Sequence, residues 1–188
     1  MRVPIVRTQK YDQSVHRKFD IILKMQIRNA KHDDAIEIAY IYNYYVATSH
    51  ATFEIEPVDE AEMLRRMEDG WNGGYPFLIC EENDEVVGYA YGHYFRPRPA
   101  YMHSIEVSVY VRPGRTEGNI GTMLYEKLLD EIKKGDFHAV IGGISLPNDA
   151  SVRLHEKFGF EKVAHFREVG RKFDRWIDVG YWELLLDK

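Results

Sequence analysis

The stretch Ser108-Val-Tyr-Val-Arg-Pro-Gly-Arg-Thr-Glu-Gly-Asn-Ile-Gly-Thr-Met-Leu-Tyr125 decides the fold of this chain. It predicts a β-branched and aromatic strand, a turn rich in Pro, Gly and Asn, and a helix that begins at or near Ile120. The turn from Arg112 to Thr122 would aim backbone N–H groups and the positive end of a helix dipole at one point, which favours a phosphate. Arg112 and Arg115 would add positive charge there. A plain strand-to-helix connection is the alternative, since the turn has neither the Walker A sequence nor the dinucleotide-binding spacing.

The elements predicted along the chain indicate one mixed α/β domain. With 188 residues, the chain is long enough to bury a sizeable core. Apolar spacing and turn residues predict strands at 26–30, 77–82, 86–94, 103–111, 139–145, 161–169 and 176–186, and helices at 33–45, 59–70, 120–134 and 149–158. This β-α-α-β-β-β-α-β-α-β-β order predicts a mixed sheet of about six to seven strands flanked by helices. Residues 1–24 show no steady period, so we expect an N-terminal extension before a single domain at 25–188.

Composition and charge limit the partners that the chain can have. The fractions of hydrophobic residues, 45%, and of charged residues, 29%, are typical of a soluble globular protein. The net charge of −5 argues against a general nucleic-acid binder or a binder of anionic membranes, and no apolar run reaches transmembrane length. The single cysteine, Cys80, excludes an internal disulfide and fits a reducing compartment, so we expect a cytoplasmic protein.

Glu106 is the first candidate for chemistry. Alternation along the predicted strand places Glu106, Ser108 and Tyr110 on one face and the aliphatic residues on the other. Glu is a poor strand residue, and partial burial in a central strand would raise its pKa toward the range of a general base. An exposed Glu on a solvated face is the alternative. We expect no metal site, because His103 and Glu106 would lie on opposite faces of the strand.

Three further positions have both a chemical and a structural interpretation. Arg96 and Arg98 lie in a proline-stiffened loop, where they could clamp a carboxylate or be solvated loop arginines. Asn148 could cap the helix that follows it or bond an amide-bearing ligand. His155, on that helix, could be a core or surface histidine or a proton donor.

Seven segments spread over about residues 25–186 carry a family resemblance. They are Ile41-Tyr-Asn-Tyr-Tyr-Val46, Ala51-Thr-Phe-Glu54, Val87-Gly-Tyr-Ala-Tyr91, Ile105-Glu-Val-Ser-Val-Tyr-Val111, Leu146-Pro-Asn-Asp149, Ser151-Val-Arg-Leu-His-Glu156 and Trp176-Ile-Asp-Val-Gly-Tyr-Trp182. Together they resemble the GNAT superfamily of N-acetyltransferases, and within it the phosphinothricin and methionine sulfoximine N-acetyltransferase group. The resemblance implies the GNAT fold, in which a splayed pair of strands holds acetyl-CoA, and it implies a homodimer.

The resemblance also implies a role for each matching residue. The pantetheine arm of acetyl-CoA would pair with the strand residues Val109, Tyr110 and Val111. The rest of the cofactor would lie against Glu117, Gly118, Asn119, Ile120, Gly121, Thr122, Asn148 and Lys157. The amino-acid pocket would be lined by Phe53, Arg96, Pro97, Arg98, Glu106, Val107 and Ser108. Two residues depart from the usual Gln/Arg-x-x-Gly-x-Gly turn, namely Asn119 in place of a glycine and the acidic Glu117.

The expected reaction is the transfer of an acetyl group from acetyl-CoA to the α-amine of a small amino-acid-like substrate. Glu106 would remove the ammonium proton, directly or through a water, and the amine would attack the thioester without a covalent enzyme intermediate. His155 stands where many GNAT enzymes have a tyrosine acid, so it is the candidate proton donor to the thiolate, with Tyr110 as a weaker one. The alternatives are a protein or peptide N-acetyltransferase and a non-catalytic acyl-CoA sensor. No metal, nucleic acid or membrane is expected to take part.

Overall fold

The structure is a computed structural model that describes residues 25–115 and 119–186. The extension expected at residues 1–24 and two positions of the expected cradle, Glu117 and Gly118, lie outside the described residues. The described strands are β1 Met25–Asn29, β2 Phe77–Glu82, β3 Glu85–Tyr94, β4 Ser104–Val111, β5 Ala139–Leu146, β6 Glu161–Lys172 and β7 Arg175–Leu185. The described helices are α1 Ala35–Thr48, α2 Glu60–Asn72, α3 Ile120–Lys134 and α4 Asp149–Lys157, with short 3₁₀ helices at His32–Asp34 and Pro99–Tyr101.

The order of strands and helices confirms the predicted pattern. The hairpin between β2 and β3 turns at Asn83 and Asp84, whose φ values of 52° and 63° are typical of a type I′ turn. Helix α2 begins as predicted at Asp59, because the Asp59 side chain accepts the Glu62 N–H at 2.8 Å. Helix α3 begins at Ile120, the residue at which the sequence predicts it.

Several element ends differ from the predicted ones by up to three residues. Helix α2 continues through Gly70 to Asn72, and the Gly73 N–H then bonds to the Asp69 carbonyl at 3.1 Å. A glycine inside a helix costs only about 1 kcal/mol relative to alanine, so it need not end the helix. Strand β6 continues to Lys172 and β7 already begins at Arg175, because a two-residue turn at 173–174 with positive φ angles joins the two strands.

The strands form one mixed sheet with an opening at its centre. Among the described residues, seven strands pair in the order β1-β2-β3-β4-β5-β7-β6, and only β4 and β5 are parallel neighbours. These two strands pair only between Ser104–Glu106 and Ala139–Ile141, and they then diverge. The opening beyond Glu106 is the splayed strand pair that the resemblance implied.

Different helices cover the two faces of the sheet. Helix α3 buries Leu124 and Leu128 at helical spacing on one face, in the same apolar cluster as Ile105 of β4. Helices α1 and α2 cover the other face, where Met67 is buried and Tyr110 packs against the cluster. Strand β4 therefore presents its aliphatic residues to α3 and its polar residues to the opposite face, as its alternation predicts. Within ranges 25–115 and 119–186, no helix has the length and apolar character needed to cross a membrane.

Candidate active site

Glu106 lies at the point where β4 and β5 separate. It is the last residue of β4 in register with β5, opposite Ile141. A Cβ placed on Gly143 would lie 2.9 Å from Glu106 Oε1, so this glycine leaves room for the carboxylate. Burial raises the pKa of Glu106 above its usual value, and the charges of His93 and Arg96 partly oppose that rise. The predicted partial burial of Glu106 is confirmed, and its role as a base stays a prediction.

A cavity of about 390 Å³, here named the gap cavity, occupies the opening between β4 and β5. Its walls are the backbone of β4 beyond Glu106, the first turn of α3 and the face of α4 that carries Ala150, Ser151, Leu154 and His155. Most of the residues predicted to hold the cofactor line it, namely Val109, Tyr110, Val111, Asn119, Ile120, Gly121, Thr122 and Asn148. Val107 and Ser108, which were predicted for the amino-acid pocket, also line this cavity.

Two helix N-termini form one end of the gap cavity. Asn119 precedes α3 with φ 54° and ψ 33°, a left-handed conformation that Asn tolerates better than other residues with a side chain. The N–H groups in the first turn of a helix have no acceptor within that helix. Asn148 both caps α4, by accepting the Ser151 N–H at 3.1 Å, and lines the cavity. This arrangement suits an anion such as a diphosphate.

Basic side chains contribute less positive charge to this end of the gap cavity than the sequence predicted. Arg112 forms an ion pair with Glu37, so it does not supply the positive charge expected of it at the turn. Arg115 lines the gap cavity, but its guanidinium is paired with carboxylates of the β2–β3 hairpin. Lys157 is exposed at the end of α4 and lies outside the lining of the cavity. An anion here would therefore be held chiefly by main-chain N–H groups.

A second cavity of about 480 Å³, here named the Glu106 cavity, adjoins the first. Its lining consists of His50, Ala51, Phe53, Arg96, Glu106, Gly143, Ser145, Phe166, Val169, Val179 and Tyr181. Ala51, Gly143 and Ser145 line both cavities. A ligand in the gap cavity and a ligand in the Glu106 cavity would thus meet beside the Glu106 carboxyl group.

The structure brings together part of the predicted amino-acid pocket. Phe53, Arg96 and Glu106 all line the Glu106 cavity, although they come from three separate parts of the chain. Pro97 and Arg98 are exposed in the loop after Arg96 and lie outside the lining of this cavity. The sequence could not show which of Arg96 and Arg98 lines the pocket, because both follow the same strand in the same loop.

His155 is a buried residue of α4 with only 4% of its surface exposed. Its Nδ1–H donates to the Ser151 carbonyl at 2.8 Å, which places the proton of a neutral ring on Nδ1. Nε2 is buried without a partner among the described residues, and a Cβ on Gly142 would lie only 2.1 Å from it. Burial also lowers the pKa of His155. The predicted role as proton donor stays a prediction, and this geometry counts against it because Nε2 carries no proton.

Sequence reasoning missed His50, Ser145 and Tyr181 as parts of the site. His50 immediately precedes the Ala51-Thr-Phe-Glu54 segment, and Ser145 precedes Leu146-Pro-Asn-Asp149, so both stood next to quoted motifs. The contact between His50 and Ser145 joins residues that are 95 positions apart. Such a contact depends on the tertiary fold, and spacing along the chain gives no sign of it.

Known proteins resemble the chain over nearly all of the described residues. A family model described as an acetyltransferase (GNAT) domain matches residues 27–180. A phosphinothricin N-acetyltransferase of Streptomyces coelicolor is 39% identical, over 85% of this chain and 95% of that protein. An L-methionine sulfoximine/L-methionine sulfone acetyltransferase of Salmonella typhimurium is 37% identical, over 87% of this chain and 96% of that protein. The solved structure of a phosphinothricin acetyltransferase from Sinorhizobium meliloti in complex with acetyl-CoA has a TM-score of 0.83 and 32% identity, covering 87% of this chain and 89% of that one.

Proposed function

The chain belongs to the GNAT acetyltransferase family and is an acyltransferase, and from this premise we propose that it acetylates the α-amine of a small amino-acid-like substrate. The observation that carries the proposal is the junction of the gap cavity and the Glu106 cavity at Gly143 and Ser145. A thioester in one cavity and an amine in the other would face each other next to a desolvated carboxyl group. Such positioning is itself a large part of the catalysis of a bimolecular reaction.

Acetyl-CoA is the proposed acetyl donor, and the gap cavity is its proposed binding site. The backbone of Val107–Val111 has no strand neighbour on the β5 side among the described residues, so its polar groups could pair with the amide groups of a pantetheine arm. The N–H groups of 120–122 suit the diphosphate, as helix N-termini generally do. The acetyl-CoA complex of the Sinorhizobium meliloti relative supports this assignment of the donor.

Glu106 is the proposed general base. The substrate amine reaches the enzyme as an ammonium and must lose a proton before it attacks, and Glu106 would take that proton directly or through a water. A carboxyl group whose pKa is raised by burial is a better proton acceptor than one in water. A backbone N–H near Val107–Val109 would stabilise the negative charge that develops on the thioester oxygen.

We propose direct transfer, without an acetyl-enzyme intermediate. Cys80 is the single cysteine of the chain, and it is buried in β2 away from the lining of both cavities. Burial raises the pKa of the Cys80 thiol to about 11, so it stays a thiol at neutral pH. A lone reduced thiol also fits the cytoplasmic location that we propose for the enzyme.

The proposed substrate class combines a carboxylate with a compact polar side chain. Arg96 at the edge of the Glu106 cavity supplies a positive charge for the carboxylate, and Phe53 and Tyr181 supply aromatic walls. The relatives named for phosphinothricin and for methionine sulfoximine support this class, since both compounds are amino acids.

A second copy of the chain is the proposed partner. Val163, Phe166, Val169, Phe173 and Trp176 are all more than half exposed on the β6–β7 hairpin, which forms one edge of the sheet. Exposed apolar clusters of this kind mark interaction surfaces. Phe166 and Val169 also line the Glu106 cavity, so a second copy seated there would complete the wall of the substrate pocket.

A thiol-release assay with acetyl-CoA tests the proposed function. Methionine sulfoximine, methionine sulfone, phosphinothricin, common amino acids and short peptides would be offered as acceptors at equal concentration. We expect the amino-acid-like acceptors to support turnover and the peptides to support far less. Turnover on peptides alone would favour a protein N-acetyltransferase, and binding of acetyl-CoA without any turnover would favour a sensor.

A further inference from the structure

We infer that His50 is a second proton-transfer group of this site, which accepts a proton from the substrate nitrogen and returns it to the leaving thiolate. The inference rests on the proposed function and extends it. His50 lies in the loop after α1 and lines the Glu106 cavity. Its hydrogen-bond partner, Ser145, lines both cavities, so the imidazole lies at the wall where the acetyl group and the amine would meet.

The hydrogen bonds of His50 fix which ring nitrogen carries the proton. Ser145 Oγ donates its one proton to the His50 carbonyl oxygen at 2.5 Å, because a carbonyl can only accept. His50 Nδ1 lies 3.1 Å from the same Oγ and must therefore donate to it. A neutral His50 thus carries its proton on Nδ1 and a lone pair on Nε2. Among the described residues, no hydrogen-bond partner occupies Nε2.

The loop that carries His50 is held in place from two sides. Lys172 is buried in β6 and donates Nζ to the Thr52 carbonyl at 2.9 Å. Tyr42 Oη lies 2.6 Å from Thr52 Oγ1, which ties the same residue to α1. Together with the Ser145 contact, these bonds fix the backbone on both sides of Ala51. The imidazole is therefore placed by the fold, which a proton-transfer group requires.

The spacing along β5 places His50 and Glu106 close to one another in the lining of the Glu106 cavity. The Glu106 carboxyl group lies over Gly143, and Ser145, which holds His50, is two residues further along the same face of β5. Two residues of a strand span about 7 Å. An amine nitrogen between the two side chains would be within reach of both.

The reaction removes two protons from the substrate nitrogen, and the proposal gives each its own acceptor. The ammonium loses one proton before attack, and the nitrogen loses another after its bond to the acetyl carbon has formed and the carbon–sulfur bond breaks. One of these protons ends on the sulfur of the thiol product and the other is released to water. Glu106 can hold a single proton at a time, so it serves the first step. His50 serves the second step, taking the proton at Nε2 and giving it to the thiolate.

Three other ionisable residues line the Glu106 cavity with His50, namely Arg96, Glu106 and Tyr181. The Glu106 carboxylate can accept one proton and the His50 ring nitrogen another, so this cavity has a separate acceptor for each step.

The test uses two variants of His50 and one control histidine. His50→Asn keeps a side-chain N–H for Ser145 but lacks the atom at Nε2, and His50→Gln supplies an amide that does not titrate. His138→Gln replaces an exposed histidine outside both cavities as the control. We expect kcat to fall about a hundredfold or more in both His50 variants and to stay unchanged in the control. Calorimetry should show that all variants bind CoA as the wild type does.

The pH dependence separates His50 from Glu106. Raising the pH supplies free amine, so it should partly restore a Glu106→Gln variant, but it should not restore the His50 variants, because their defect follows attack. Ser145→Ala should lower kcat less than His50→Asn, and the double variant should lose no more than His50→Asn alone. A loss of kcat in His155→Gln with none in His50→Asn would overturn the inference.

The proposed function and this inference fail in different ways. A wild-type protein that binds acetyl-CoA but releases no thiol with any amine would overturn the proposed function and the inference with it. A wild-type protein with normal turnover whose His50 variants keep their kcat would overturn the inference alone. Rescue of the His50 variants at high pH would also overturn it, since His50 would then act at the same step as Glu106.

Discussion

Glu106 occupies a position that would favour the proposed catalysis at the expense of stability. Burial raises its pKa in the folded protein above the unfolded value. A carboxyl group with a raised folded pKa stabilises the fold below its unfolded pKa, and that contribution is lost as the pH rises through the folded pKa. Above the folded pKa the ionised Glu106 therefore lowers the free energy of unfolding, and the same ionised form is the one that would accept a proton in the proposed reaction.

Replacing Glu106 by Gln should lower the activity and raise the stability of the protein at pH 7. At pH 7 we expect thiol release to fall about a hundredfold, with partial recovery at higher pH as free amine accumulates. Thermal unfolding should show a higher melting temperature than the wild type at pH 7, and this difference should shrink as the pH is lowered. Glu161→Gln, an exposed position at the start of β6, is the control that should change neither quantity. Unchanged turnover in Glu106→Gln would reject the base role.

Replacing Arg96 by Ala should weaken binding of the amino acid and not of acetyl-CoA. A hydrogen bond to a charged group contributes about 1.5–3 kcal/mol, which corresponds to an increase in KM of about tenfold to hundredfold. Arg98→Ala is the matched comparison, because Arg98 lies in the same loop but outside the lining of the Glu106 cavity. Steady-state kinetics with both substrates would measure the effect. Equal effects of the two variants would contradict an Arg96 carboxylate clamp.

At the scale of elements, the packing of β5 against α4 depends on a glycine, Gly142, which has no side chain. Gly142 faces His155 so closely that a Cβ would lie 2.1 Å from Nε2. The Nδ1–H bond from His155 to Ser151 holds the ring, so the ring cannot turn away without losing it. The position of α4, and with it one wall of the gap cavity, is thus set by this contact.

Gly142→Ala should therefore destabilise the protein by about 1–3 kcal/mol, the usual result of overpacking. Gly70→Ala in α2 is the matched control, because a Cβ there would meet nothing within 4 Å. We expect the control to be stabilising by up to about 1 kcal/mol, since alanine is the better helix residue. Chemical denaturation of the two variants would give both values. A Gly142→Ala variant as stable as the wild type would mean that α4 shifts freely.

The elements could be predicted from the sequence where local rules decide them. The short turn between the strands predicted at 77–82 and 86–94 and the helix start predicted at residue 59 depend on neighbours in sequence, and the Asn83-Asp84 turn and the Asp59 cap confirm both. Long-range partners were not predictable. Arg112 was expected to face the turn and instead pairs with Glu37, a residue 75 positions away. Spacing along the chain carries no information on such a partner.

At the scale of the whole molecule, the β6–β7 hairpin leaves an exposed apolar edge. Trp176 is 63% exposed and Val169 is 59% exposed, which is unusual for large apolar side chains on a sheet. Strand β6 is also the last strand of the sheet, so its outer backbone groups have no strand partner among the described residues. Pairing with a second copy would cover both the side chains and the edge.

Trp176→Glu should disrupt that pairing. We expect the wild-type protein to sediment at twice its chain mass of 22.1 kDa, and the variant to sediment as a single chain at micromolar concentration. The variant should also show a higher KM for the amino acid, because Phe166 and Val169 join the hairpin to the substrate pocket. Ile36→Glu, an exposed apolar position on α1, is the control. A monomeric wild-type protein would refute the proposed partner.

The divergence of β4 from β5 would link the stability of the protein to the supply of its proposed donor, acetyl-CoA. Beyond Glu106, the edge of β4 that faces β5 has no strand partner among the described residues, so a ligand that pairs with it would bind the folded state alone. A ligand that binds only the folded state stabilises it in proportion to the logarithm of its concentration. The concentration of the donor would then influence how much of the folded enzyme persists.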